Sequence, residues 1–190
     1  MVYVALLRGI NVGGNNKIPM KELKKIFEKS NMQSVTTYIN SGNVVFKDEA
    51  HSKDELEALL HQAILAETQL KISVLVRSLA EYKELMAKLP PHWKNDGEMK
   101  SDVLFLSGAV DREETLGELT IRQDIDRVLY VPGAILWSVD RKNAARSGLL
   151  KVVGTALYQQ MTIRNVNTTR KIFEIMKSTQ DEGTPPTNRE

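Results

Sequence analysis

Two stretches of this chain carry residue types that could hold an anion. Residues 141–173 contain seven bases (Arg141, Lys142, Arg146, Lys151, Arg164, Arg170, Lys171) and no acid. A solvated face of mixed charge interleaves both signs, so a run of one sign predicts positive potential. Nearer the N-terminus, Gly9-Ile-Asn-Val-Gly-Gly14-Asn15-Asn16-Lys17 lies between a strand-like run and a helix-like run. Glycine lets the backbone approach a ligand, and a loop entering a helix presents unpaired amides, the usual requirements of a phosphate. Asn15 and Asn16 stand where a P-loop would end in Lys-Ser or Lys-Thr. The pattern is therefore weak for nucleotide binding, and a plain turn of residues tolerant of positive φ explains it equally well.

Catalytic constellations are sparse. Cysteine is absent, which removes disulfides, thiolate catalysis and cysteine metal sites. His51, His61 and His92 show no metal-ligand spacing and no serine-and-acid partner, so neither a metal, a cofactor nor a hydrolase triad is expected. Ser147 and Lys151 are four apart, but a Ser–Lys pair needs a buried neutral lysine, and a capping serine with a surface lysine is the simpler reading. Asp140 is the carboxylate that directly precedes the basic cluster, with an inter-strand salt bridge as its default role.

Composition bounds the setting. The 190 residues are 42% apolar and 26% charged, ordinary for a globular protein, and allow one large domain or two small ones. The net charge of +2 hides a segregation: residues 22–140 hold 14 bases against 20 acids. The longest N-terminal apolar run, Val2 to Leu7, is far short of a membrane span of roughly 20 residues. A cytoplasmic location with no membrane partner is the default expectation.

The elements that must position these loops follow from periodicity. Val2–Arg8 reads as a central strand; Met20, Leu23, Ile26 and Phe27 recur at helical spacing; Val35–Ile39 and Val44–Lys47 are strands about a turn at Asn40-Ser41-Gly42-Asn43. Ser52 with Glu55 forms a capping box ahead of Leu56, Leu59, Leu60, Ala63 and Ile64, and Lys71–Arg77 is a fourth strand. Ser78 with Glu81 opens a connecting helix that Pro90-Pro91 stops. The same order is then read again: a strand at Val103–Leu106, a short helix capped by Asp111 and Glu114, strands Arg127–Val131 and Ile135–Val139 about Pro132-Gly133, a helix capped by Ser147, a strand at Met161–Ile163, and a last helix from about Val166 to Lys177. The predicted fold class is α+β: two ferredoxin-like subdomains (α-β plait, βαββαβ) in tandem with an extra C-terminal helix. The expected division is a first plait at 1–77, a connecting helix and linker at 78–100, a second plait with the C-terminal helix at 101–177, and a polar disordered tail at 178–190.

In such a plait the loop after the first strand and the hairpin between strands two and three share one end. Arg8, Asn11, Gly13, Gly14, Asn15, Asn16, Lys17, Asn40, Ser41, Gly42 and Asn43 are thus candidate ligand-binding residues. In the second half the third and fourth strands both run to the opposite end. Arg141, Lys142, Arg146, Ser147, Lys151, Arg164, Asn165 and Asn167 are the candidates there, with Asn165, Asn167 and Thr168 also suited to capping a helix.

Nucleic acid fits poorly as a partner. Tyr3 and Phe46 are the only aromatics on strands one and three, Ser41–Lys47 lacks the RNA-recognition pattern, and +2 is a small charge for such a footprint.

Four segments resemble a known family. Ala5-Leu-Leu-Arg-Gly-Ile-Asn-Val-Gly-Gly14, Ile18-Pro-Met20, Thr37-Tyr-Ile-Asn-Ser-Gly-Asn-Val-Val-Phe46 and Thr162-Ile-Arg-Asn-Val-Asn-Thr168 are similar to the signature segments of the bacterial domain-of-unknown-function family 1697. Asp102–Leu106 and Arg146-Ser147 share the likeness, which spans about residues 3–176. It implies a pair of α-β plaits and brings no activity, cofactor or catalytic residue. Val166 stands where the family is expected to carry tryptophan. The functional expectation is a protein that binds a small anionic, phosphate-bearing ligand through its Gly/Asn and basic loops. The alternatives are a metal-independent enzyme acting on such a ligand, or an interaction module that self-associates.

Overall fold

The computed structural model describes residues 1–181. It holds two four-stranded antiparallel sheets with helices, a mixed α+β architecture. The chain divides into two compact units, Met1–Tyr82 with the chain from Ile172 onward, and Lys83–Lys171. The last helix therefore contributes its C-terminal part to the first unit, where the sequence expectation had placed all of it with the second.

In the first unit, β1 (Val2–Leu7) leads to α1 (Met20–Lys29), β2 (Gln33–Tyr38), β3 (Asn43–Lys47), α2 (Lys53–Thr68) and β4 (Val74–Ser78). The strand order is β2-β3-β1-β4. β1 is central, which suits a strand apolar on both faces. Tyr3, Ala5 and Leu7 join Val44, Phe46, Val74 and Val76 in a core with Leu23, Ile26 and Phe27 of α1 and Leu56, Leu60 and Ile64 of α2. Phe46 lies inside this core, edge-on to Phe27, so it offers no stacking face. The Ser52–Glu55 capping box forms as expected, and Ser78 with Glu81 forms the reciprocal pair that opens α3 (Leu79–Lys88).

In the second unit β5 (Met99–Leu106), β6 (Asp126–Val131), β7 (Ala134–Asp140) and β8 (Met161–Asn165) repeat the pattern, in the order β6-β7-β5-β8. Here the two helices expected between the strands are absent among the described residues. Short 3-10 segments at 108–110, 113–118, 141–146, 148–151 and 157–160 take their place. Asp111 does not cap a helix; it accepts from the Tyr130 hydroxyl at 3.0 Å and the Gly133 amide at 2.8 Å, pinning the β6–β7 turn. Gly148 and Gly154 (φ +89°) bracket only five residues, too few to propagate a helix.

β5 begins at Met99, four residues before the predicted Val103. The last helix, α4 (Val166–Asp181), continues through Ser178, where the tail was predicted to start, and Thr179 is buried. The rest of that predicted tail, 182–190, lies outside the described residues. Among the described residues no helix is long and apolar enough to cross a membrane.

Candidate functional site

The Gly/Asn loop after β1 and the β2–β3 hairpin do meet. The Leu7 amide donates to Gly42 O at 2.8 Å, which brings the end of β1 against the hairpin. Asn11 then ties three segments together. Its Nδ2 donates to Ile18 O and to Asn40 O, both at 2.9 Å, and its Oδ1 accepts from the Ile18 amide at 2.9 Å. Asn16 Nδ2 closes the loop base on Gly9 O at 3.1 Å. Asn43 is fully buried and holds the hairpin from inside, donating to Tyr38 O and Ser41 Oγ, both at 3.0 Å.

This geometry explains the residue types. Gly9, Asn11, Gly13, Gly14 and Asn16 all have positive φ, where glycine and asparagine cost least. Gly42 is required twice: φ is +74°, and a Cβ there would sit 2.7 Å from Leu7 Cβ. Ile39 breaks the pattern. It leaves β2 at φ 47°, a left-handed conformation that costs a β-branched residue roughly 1–2 kcal/mol, and its side chain is exposed.

The result is a recess of about 340 Å³ lined by Asn11, Gly14, Lys17, Ile18, Pro19 and Asn40. Lys17 is exposed and makes no ion pair among the described residues. The amides of Gly13 and Gly14 donate to no protein group there. Arg8 is half-buried at the loop entrance, with its amide on Ser73 O. Unspent amides beside an unpaired ammonium can bind an anion with few charges.

The basic window of the second unit is arranged otherwise. β7 and β8 both end beside the start of β5, as the topology predicted. Most of the guanidinium groups there have protein partners. Arg141 donates Nε to Asp96 O at 2.8 Å and Nη2 to Asn95 Oδ1 at 3.1 Å, holding the loop before β5. Arg170 donates to the carbonyls of Trp93 (2.6 Å) and Pro90 (3.0 Å). Arg164 is buried and donates to Ile163 O, and Arg146 lies 3.7 Å from Asp124. Asp140 pairs with Arg127 across the strands at 3.0 Å, its expected role.

Asn165 Oδ1 caps α4 through the Thr168 amide at 2.8 Å, and Asn167 bonds both backbone groups of Asn95. Lys142 and Lys151 are exposed and unpaired among the described residues. Arg141 and Lys142 line a shallow cleft of about 400 Å³ with Glu98 and Asp140, so carboxylates share it.

Three carboxylates escaped the sequence reading. Asp126 underlies the Ser147 turn: it accepts from Ser147 Oγ (2.5 Å), the Gly148 amide (2.9 Å), Trp137 Nε1 (3.1 Å) and the Arg122 amide (2.9 Å). Burial pushes its pKa up, but these four donors prevail and hold it below the ordinary value. Ser147 is buried with its hydroxyl spent there and on the Leu149 amide, which removes it as a nucleophile for Lys151.

Asp102 of β5 is 8% exposed, flanked in register by Trp137 and Asn165, and burial raises its pKa against the opposing fields of Lys100 and Arg141. Glu57 of α2 is also raised by burial, although its carboxylate accepts the Val76 amide at 2.8 Å. It lines a separate cleft of about 580 Å³ with Asp54, His61, Lys71 and Ser73, where His61 Nδ1 meets Ile72 O at 2.6 Å. Asp126 had no motif to flag it, because Trp137 and Ser147 reach it from 11 and 21 residues away, and Asp102 stood only at the edge of a family-like segment that gave it no role.

Comparison with known proteins places these loops in context. The family described as a protein of unknown function, DUF1697, matches residues 1–137. The chain belongs to this family. The match includes both loops of the first-unit recess and ends before Arg141. A solved structure of a conserved bacterial protein from Streptococcus pneumoniae is similar over 92% of this chain and 98% of its own, with a TM-score of 0.79 and 28% identity. No curated protein matches the chain.

Proposed function

We propose that the chain is a binding protein whose first-unit recess takes a small anionic, phosphate-bearing ligand. One observation carries this reading: Asn11 locks two loops around a recess lined by Gly14, whose amide donates to no protein group, and by Lys17, which makes no ion pair, among the described residues. An anion supplies what those donors lack, and the 10-residue α1 starts at the recess wall with its dipole toward the ligand. The basic loops of the second unit contribute less, since their guanidiniums are engaged.

The raised carboxylates Glu57 and Asp102 are not among the residues lining the recess, so binding is favoured over a metal-independent enzyme. An interaction module built on strand pairing is disfavoured at β4, whose outer amides at Val76 and Ser78 are taken by Glu57 and Glu81. The finer fold reading, a ferredoxin-like plait in each unit, draws support from the two identical strand orders. A cytoplasmic setting is part of the same proposal.

Thermal-shift titration with inorganic phosphate, sugar phosphates and nucleotides at millimolar concentration tests the reading. Stabilisation by at least one of them, lost in Lys17→Ala and kept in Arg141→Ala, is expected. No shift across the panel, or a shift that Arg141→Ala removes and Lys17→Ala does not, overturns it.

A further inference from the structure

β4 is an edge strand of the first sheet, and its outer edge is closed everywhere but at one residue. Val74 lies opposite Leu7 in register, yet the Leu7 amide donates to Gly42 O on its other side. That pair therefore exchanges no backbone bonds, and the Val74 amide and carbonyl point off the edge of the sheet. The same phase turns Ile72, Val76 and Ser78 outward, where side chains take their groups. The His61 ring donates its Nδ1–H to Ile72 O at 2.6 Å, since a carbonyl can only accept. Glu57 Oε1 accepts the Val76 amide at 2.8 Å, Arg77 Nη1 donates to Val76 O at 2.9 Å, and Glu81 Oε2 accepts the Ser78 amide at 2.8 Å. Val74 has no such partner for either group among the described residues.

This open rung lines the cleft of about 580 Å³ between α2 and the start of β4, a volume that suits a small ligand. A rung offers one donor and one acceptor, and a single residue of a peptide answers both. His61 and Glu57 close the edge on either side, so pairing stops after one residue. A strand is shut out and a chain end is admitted. The charge of the cleft selects which end. Its ionisable lining sets Asp54 and Glu57 against Lys71. Asp54 makes no hydrogen bond or ion pair among the described residues, and Glu57 spends one oxygen on the Val76 amide. Burial raises the Glu57 pKa despite that amide and Arg77 at 4.0 Å, so an added cation relieves a cost already present.

We propose that this cleft binds the amino-terminal end of a peptide: its second residue exchanges two backbone hydrogen bonds with Val74, and its terminal ammonium is held by Asp54 and Glu57. None of the cleft residues lines the Gly/Asn recess, so the proposal stands or falls apart from the anion reading.

The test is calorimetric titration of the full chain with trialanine amide and with its N-acetyl form. Trialanine amide should bind, and acetylation, which removes the ammonium, should weaken binding at least about ten-fold. Asp54→Asn combined with Glu57→Gln should abolish that difference; glutamine keeps an acceptor for the Val76 amide, so β4 stays capped. Saturating peptide should slow hydrogen exchange of the Val74 amide at least about ten-fold and leave the Gly14 amide unchanged. Absence of binding, equal affinity for the two peptides, a difference that survives the double substitution, or binding that leaves Val74 exchange unaltered overturns the proposal.

Discussion

The Gly/Asn loops of the first unit and the basic loops of the second invert what a count of charges suggests. The second region has seven bases and no acid in 33 residues, yet Arg141 and Arg170 donate to backbone carbonyls, Arg164 is buried and Arg146 lies near Asp124. The first has one lysine at its recess, but that lysine and two neighbouring amides are unspent. An anion site is made by donors that the fold leaves without partners. A guanidinium with five donors is well suited to stapling irregular loops, and the second unit has 3-10 segments where the first has helices. Arg141 and Arg170 both staple the irregular linker between α3 and β5.

That contrast can be broken at several points. Asp126→Ala should cost the most, about 4 kcal/mol by urea denaturation, since it orphans the Ser147 hydroxyl, the Trp137 ring N–H and two amides. Because the folded pKa of Asp126 is lowered, its stabilisation is complete above 3.8 and is lost as pH falls below that value toward the folded pKa. Removing Asp126 should flatten the acid limb of the stability profile there.

Gly42→Ala should cost about 3 kcal/mol, from φ strain plus overlap with Leu7 and Ile10, and should abolish anion binding with the recess. Asn11→Ala should cost about 2 kcal/mol through three lost hydrogen bonds and weaken anion binding at least ten-fold. Asp102→Asn should raise stability at neutral pH, on the order of 1 kcal/mol, by removing a buried charge. In the unsubstituted protein Asp102 acts opposite to Asp126. Its raised folded pKa makes the charged form unfavourable, so its cost is relieved as pH falls through the folded pKa toward 3.8.

The smallest effect belongs to Arg141→Ala. A loss of about 1 kcal/mol is expected, with faster amide exchange in the Asn95–Met99 loop and no change in anion response. If Arg141→Ala removed the anion response instead, the ranking of the two regions would reverse.

Much of the first unit was legible because its signals are local. Ser52 and Glu55 are three apart, Leu56, Leu60 and Ile64 lie on one helical face, and Gly42 marks its turn. The joining of Gly9–Lys17 to Asn40–Asn43 followed from strand order. The second unit was less legible. Asp111 with Glu114 looked like a capping box, yet a tyrosine hydroxyl and a turn amide some 20 residues away took the carboxylate. Ser147 looked like a cap and is also a donor to the carboxylate of Asp126 on β6, 21 residues away.

Residue order alone determined the strand periodicity, the two capping boxes of the first unit, the positive-φ loop and the charge segregation, because each depends on neighbours within a turn or two of the chain. Tertiary structure alone decided which cations are spent, which carboxylates are buried, and that Ile39 is held strained and exposed beside Asn40. Those outcomes depend on which partners folding brings within hydrogen-bonding distance, and spacing along the chain does not encode that distance.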